Sequence, residues 1–165
     1  MGSRTIEQVK EALRQEEKLY QALLHLGREK SRLVVHNQVR ELEQLTEKEQ
    51  EFIREMSRFE QIRHSLLQHF AQEKELEEAP KNLSGLLLFL EENEKEEVEM
   101  LRDRLADLVG QISEQNRQNE ALINQSLDFI RMNIELFTHQ ESTTPYDRKA
   151  DENKKQNKRL FDAKF

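Results

Sequence analysis

The side chains with chemistry to offer are five histidines and 33 aspartates and glutamates, in a chain without cysteine. Two imidazoles at i and i+4 on a helix can share a metal, and an adjacent carboxylate can then serve as a general base. His25, His36, His64, His69 and His139 contain no such pair, and no HExxH run occurs. The carboxylates are scattered over charged stretches that read as solvated helix surface, with no apolar pocket to raise a pKa for acid–base work. Phosphate-cradling glycine motifs are absent, as are thiolate ligands and disulfides. These patterns predict no enzyme, no metal and no cofactor.

Binding is the remaining use of such a chain, and residues 119–137, NEALINQSLDFIRMNIELF, carry its strongest signal. At ~100° per residue, Leu122, Ile123, Leu127, Phe129, Ile130, Met132, Ile134, Leu136 and Phe137 occupy roughly 220° of a helix. The apolar residues from Val98 to Ile112 fit roughly 100° on the same construction. One seam cannot cover the wider arc, and apolar area left in water marks a partner site. The alternative is that these residues close the end of a bundle or pack in a homodimer. Gln115 and Asn119 fall at seam positions, where a buried amide fixes register or meets a partner. Asn116 lies one residue off the seam and suits either use.

The elements that position this stretch follow from periodicity. A composition of 36% charged residues with four Gly, two Pro and no Trp suits long exposed helices, so the chain is expected to be all-α and a single domain. Thr5 and Gln8 can form a capping box, and Ile6, Val9, Leu13, Tyr20, Leu23 and Val34 keep one three-and-four rhythm through Gly27. Leu42, Leu45, Phe52, Met56, Phe59, Leu66 and Phe70 form a second seam, one residue out of phase with the first. The chain must therefore turn near His36-Asn37, with Asn37 as N-cap or in the left-handed conformation. Pro80, Asn82 and Gly85 break the second helix, Ser84 can cap the next, EENEKEE reads as a solvated acidic turn, and Val98, Leu101, Leu105, Leu108 and Ile112 restore a seam.

These signals predict an antiparallel three-helix coiled bundle over residues 1–140, with helices at about 5–35, 37–73 and 84–139, and a flexible polar tail over 141–165. At 1.5 Å per residue the third helix reaches ~80 Å, against ~45 and ~55 Å for the first two. Its C-terminal third is then expected to lack neighbours on at least one side. The net charge of −7 gives no basic field for nucleic acid. MGSRTIEQVK lacks a charged leader with an apolar core, and no apolar run reaches the ~20 residues of a membrane span, so a cytoplasmic location is expected.

An acidic three-helix pattern with Asn116, Asn119 and Leu122, then Leu127, Phe129 and Ile130, followed by a polar tail with Tyr146 and the ending RLFDAKF, resembles the FlgN family of flagellar export chaperones. The ending is similar to Bacillus-type members, and the resemblance spans nearly the whole chain. One departure is the absence of the glycine that often follows the tail tyrosine. The resemblance implies a cytoplasmic chaperone that binds the C-terminal amphipathic segments of hook-associated proteins of the hook–filament junction, prevents their premature assembly and delivers them to the type III export gate. Carried onto this chain, the client face comprises Leu122, Ile123, Leu127, Phe129, Ile130, Ile134 and Phe137, with Asn116 and Asn119 positioning it. The competing reading is a structural coiled-coil homodimer that uses the same face. Tyr146, Leu160, Phe161 and Phe165 are candidates for docking on the export gate or for folding back over the empty client face. Deleting residues 142–165 is expected to change client affinity or export. Peptide-binding and secretion assays that both return the full-length values would remove either role.

Overall fold

In the computed structural model of this chain, residues 3–141 are described, and all their regular elements are helical. They are α1 (Arg4–Val35), α2 (Val39–Glu73), the short α3 (Leu83–Leu86), a 3-10 turn (Leu87–Phe89) and α4 (Glu92–Glu141). The chain divides into two compact units, Met1–Ser126 and Leu127–Phe165, and α4 supplies residues to both. The expectations placed on Tyr146, Leu160, Phe161, Phe165 and a flexible tail fall outside the described residues. No helix among the described residues is long and apolar enough to cross a membrane.

Local signals account for most of the boundaries. The Ser3 hydroxyl, and not Thr5, caps α1 by accepting the Thr5 N–H at 3.2 Å. Thr5 is instead buried at the second position of the helix, where its hydroxyl donates to Glu73 of α2. At the other end of α1, Asn37 takes φ 53°. The Asn37 and Gln38 N–H groups then satisfy the carbonyls of Val34 and Leu33 at 3.2 and 3.0 Å. That is a Schellman stop, and Asn is among the few residues that adopt the left-handed conformation readily. α2 ends the same way at Glu75, with φ 52° and the Leu76 N–H bonded to the Ala71 carbonyl at 2.9 Å. Gly27 lies inside α1, as its rhythm predicts.

The expected third helix over 84–139 is interrupted. Asn82, not Ser84, caps α3 by accepting the Gly85 N–H at 2.8 Å. The chain then leaves the helical conformation at Leu90, with ψ 148°. Leu86 and Leu87 are buried while the next residue, Leu88, is 83% exposed. An apolar run of that length cannot place every member on one helical stripe, and Leu88 and Phe89 are left exposed before the chain starts a fresh helix. The acidic stretch expected to be a turn is the first part of α4, where Glu92 and Glu94 lie near the positive end of the helix dipole.

Within Met1–Ser126 the core gathers Ile6, Val9, Leu13, Tyr20 and Leu24 of α1 with Leu67 and Phe70 of α2 and Val98, Leu101, Leu105 and Leu108 of α4, closed at one end by Leu83, Leu86 and Leu87. A second cluster, Leu26, Leu33 and Leu45, sits toward the α1–α2 turn with Leu42 and Phe52 against it. Polar pairs set the alignment. Glu73, Arg63 and Glu49 of α2 meet Ser3 and Thr5, Glu16, and Lys30 of α1, descending α2 as α1 ascends. Glu97, Arg104 and Asn119 of α4 meet Lys10 and Arg14, Glu17, and Ser31 in rising order.

The most buried of these groups is Glu16, 1% exposed, which accepts two hydrogen bonds from Arg63 at 2.7 and 2.8 Å and one from the Tyr20 phenol at 3.0 Å. Burial, reinforced by the Glu16 charge, pushes the Tyr20 pKa up to about 12. Folding therefore favours the neutral phenol, so its contribution to stability is complete below the unfolded value near 10 and disappears as pH rises through about 12. Lys10 adds a loss of the same sign. Burial acts to lower its pKa, but hydrogen bonds to Glu97 and Glu7 outweigh it and leave the value raised. Urea unfolding measured against pH is expected to show stability falling above about pH 10. The fall should be shallower in Tyr20→Phe, and an unchanged slope in that variant would exclude the phenol as its source.

Candidate functional site

Among the residues expected to position or form the client face, Asn119 is the one the fold encloses. It is 3% exposed, its amide nitrogen donates to the Gly27 carbonyl at 2.8 Å, and its carbonyl oxygen accepts from Ser31. Gln115 also donates to the Ser31 hydroxyl, at 2.8 Å. The backbone of α1 can come this close because Gly27 has no side chain: a Cβ there would lie 2.9 Å from Gln115 Cγ. Gly27 and Ser31 are one helical turn apart, and together they fill both ends of the Asn119 amide. The two seam amides thus occupy a register-fixing position within Met1–Ser126. Asn116 is exposed, and Leu122 and Ile123, the last expected face residues in this unit, are half-buried. The pairing of a glycine and a serine four residues apart was the signal in α1 that sequence reading missed.

The described part of the second unit is the end of α4, and its apolar residues face water. Leu127, Phe129, Ile130, Met132, Ile134, Leu136 and Phe137 are all exposed, the two phenylalanines by 63% and 71%. Met132 and Leu136 belong to the wide arc but not to the expected client set, and they are as open as the residues that do. At ~100° per residue these seven separate into two stripes. Leu127, Ile130, Ile134 and Phe137 span ~80°, while Phe129, Met132 and Leu136 span ~60° centred ~150° away. Asp128, Arg131, Glu135, Thr138 and His139 occupy the remaining sector. Asp128 and Arg131 form an exposed ion pair there at 3.6 Å.

This surface can bind but has little to catalyse with. Its groups are hydrocarbon, one thioether and a solvated rim. Among the described residues of the chain, no three His, Asp or Glu side chains converge where a metal could sit. Strong pKa shifts elsewhere mark surface hydrogen bonding, as at Glu114, held down to about 2 chiefly by Arg117 and then Gln118 on its own helix. Those are helix-stabilising pairs one turn apart.

The sequence profile described as FlgN protein matches residues 1–154. The uncharacterized protein YvyG of Bacillus subtilis (strain 168) is 27% identical over 148 residues, which cover 88% of this chain and 90% of the relative. No solved structure matches the chain significantly.

The two asparagines of this region are expected to differ sharply on substitution. Asn119→Ala leaves the Gly27 carbonyl and Ser31 hydroxyl without their buried partner and should lower the unfolding free energy by about 1–3 kcal/mol. Asn116→Ala should stay within about 0.5 kcal/mol of the parent. Equal denaturant midpoints for the two variants would contradict the enclosed role of Asn119.

Proposed function

Because the chain belongs to the FlgN family, whose members are flagellar export chaperones and not enzymes, we propose that it binds the C-terminal amphipathic segments of hook-associated proteins through the exposed end of α4. It would hold them unassembled in the cytoplasm and hand them to the export gate. The observation that carries the reading is the concentration of seven exposed large apolar side chains between Leu127 and Phe137. At ~200 Å² for a phenylalanine and ~60–120 Å² for an aliphatic side chain, the exposed fractions amount to on the order of 500 Å². That is close to the apolar share of the ~800 Å² that one partner contributes to a standard interface.

The polar pairings within Met1–Ser126 support reading that unit as the antiparallel three-helix bundle expected from the sequence, with α1, α2 and α4 as its long members. In this reading Asn119 serves the client only indirectly, by fixing α4 in the bundle, and Asn116, Leu122 and Ile123 lie at the margin of the face. A client segment that folds as it docks loses ~2–5 kcal/mol of the gross gain to ordering, so the grip is expected to be micromolar or submicromolar. A cargo destined for release is served by such an affinity. The homodimer reading uses the same hydrocarbon but leaves the client segment ignored.

The double variant Phe129→Asp/Ile130→Asp tests the face. Both side chains are exposed, so helical content and melting temperature should hold while affinity for the C-terminal peptide of a hook-associated protein falls by at least ~100-fold. Unchanged affinity in the folded variant rules the face out. A stable dimer by sedimentation that buries residues 127–137 and ignores the peptide would favour the homodimer.

A further inference from the structure

One polar residue sits at the centre of the hydrocarbon just described. On a helix surface the neighbours of residue i are i±3 and i±4. For Asn133 those four positions are Phe129, Ile130, Leu136 and Phe137, all large, apolar and exposed. Asn133 falls between the two stripes and is itself half-buried. The side-chain hydrogen bonds found near it, such as that from Thr138 to the Ile134 carbonyl, do not involve its amide. A helix that needed only to be oily here would carry leucine.

The same chain shows what an asparagine at such a place requires. Asn119 precedes Asn133 by fourteen residues, two heptads, in a series whose earlier members Val98, Leu105 and Ile112 are apolar. Within its own unit Asn119 is satisfied by a neighbouring helix that offers a bare backbone carbonyl at Gly27 and a hydroxyl at Ser31. A carbonyl already bonded along its own helix accepts a second hydrogen bond from a side chain of a facing helix most readily where the local side chain is too small to hold that helix away, as at Gly27. Glycine supplies that opening, and serine one turn on supplies the donor.

Building on the chaperone reading, we propose that Asn133 sets the register of the docked client, and that the client helix carries a small residue followed four positions later by serine or threonine on its apolar side. Docking strips water from the amide. In the matching register the client's carbonyl and hydroxyl replace that water; in any other, the amide is buried unpaired, a penalty that hydrocarbon contacts alone cannot impose. The two stripes give affinity but tolerate sliding, because heptad-spaced apolar side chains fit again after a shift. The central asparagine removes that tolerance at some cost in affinity, as a single polar seam residue does in coiled coils.

The chain has no cysteine, so Glu135→Cys on the polar sector gives a unique site for a spin label in the full-length protein. A second label goes on the C-terminal peptide of a hook-associated protein that contains the small-x-x-x-Ser/Thr pattern. The parent is expected to give one narrow interlabel distance. Asn133→Leu should bind equally or up to about tenfold more tightly while the distance distribution splits or broadens. Replacing the peptide's Ser/Thr by Ala should broaden the parent's distribution and add nothing in the Leu variant. A single unchanged distance in Asn133→Leu overturns the register role and leaves the docking face standing. Failure of the parent to bind the peptide overturns both, and a strong distance signal between labelled copies without peptide assigns the face to a second copy instead.

Discussion

Hydrocarbon is scarce in this chain, and where it is placed decides everything else. Only 35% of the residues are hydrophobic against 36% charged. Within Met1–Ser126 a large share of the big apolar side chains is drawn into two clusters, with α1 contributing to both. α1 can do this because its buried positions extend beyond a single seam: Leu26 and Leu33 are buried as well as Ile6 and Val9. Against that economy, seven large apolar residues between Leu127 and Phe137 stand exposed among the described residues.

Packing alone would leave such a bundle free to slide, since heptad seams repeat. The buried polar contacts break the degeneracy. Glu16 clasped by Arg63 and Tyr20 aligns α2 against α1 at one height. Gly27 and Ser31 receiving Asn119 align α4 against α1 at another. Each carries a desolvation cost that is recovered only when the partner is opposite, so these groups add less to stability than to uniqueness. The missing Cβ at Gly27 belongs to the same device, exchanging helix propensity for approach.

Such a body suits a carrier. The register of its first unit is held by groups inside that unit, while the described apolar residues of the second are exposed. Two stripes separated by a polar centre present more arc than one straight helix covers, so the proposed client segment would have to wrap or fold back to cover both.

Helical phase is a local property, and what depended on it was readable from residue order alone. The three-and-four spacing of Ile6 to Val34, the tolerance of Gly27 inside α1, the turn at Asn37 and the doubled apolar arc after residue 119 all follow from ~100° per residue and the conformational habits of single side chains. The N-terminal cap was missed by two residues, because Ser3 and Thr5 offer the same hydroxyl and only Glu73, seventy residues away, claims one of them for the interior. The break at Leu90 was missed because its cause is the burial of Leu86 and Leu87 against other elements. Asn119 and Asn133 stand at the same heptad position with the same side chain, and although their neighbours on the helix differ, those neighbours do not say which amide another helix of the chain will meet. That distinction required knowing which helix arrives opposite, and only the tertiary structure, by bringing Gly27 and Ser31 to Asn119, decided it.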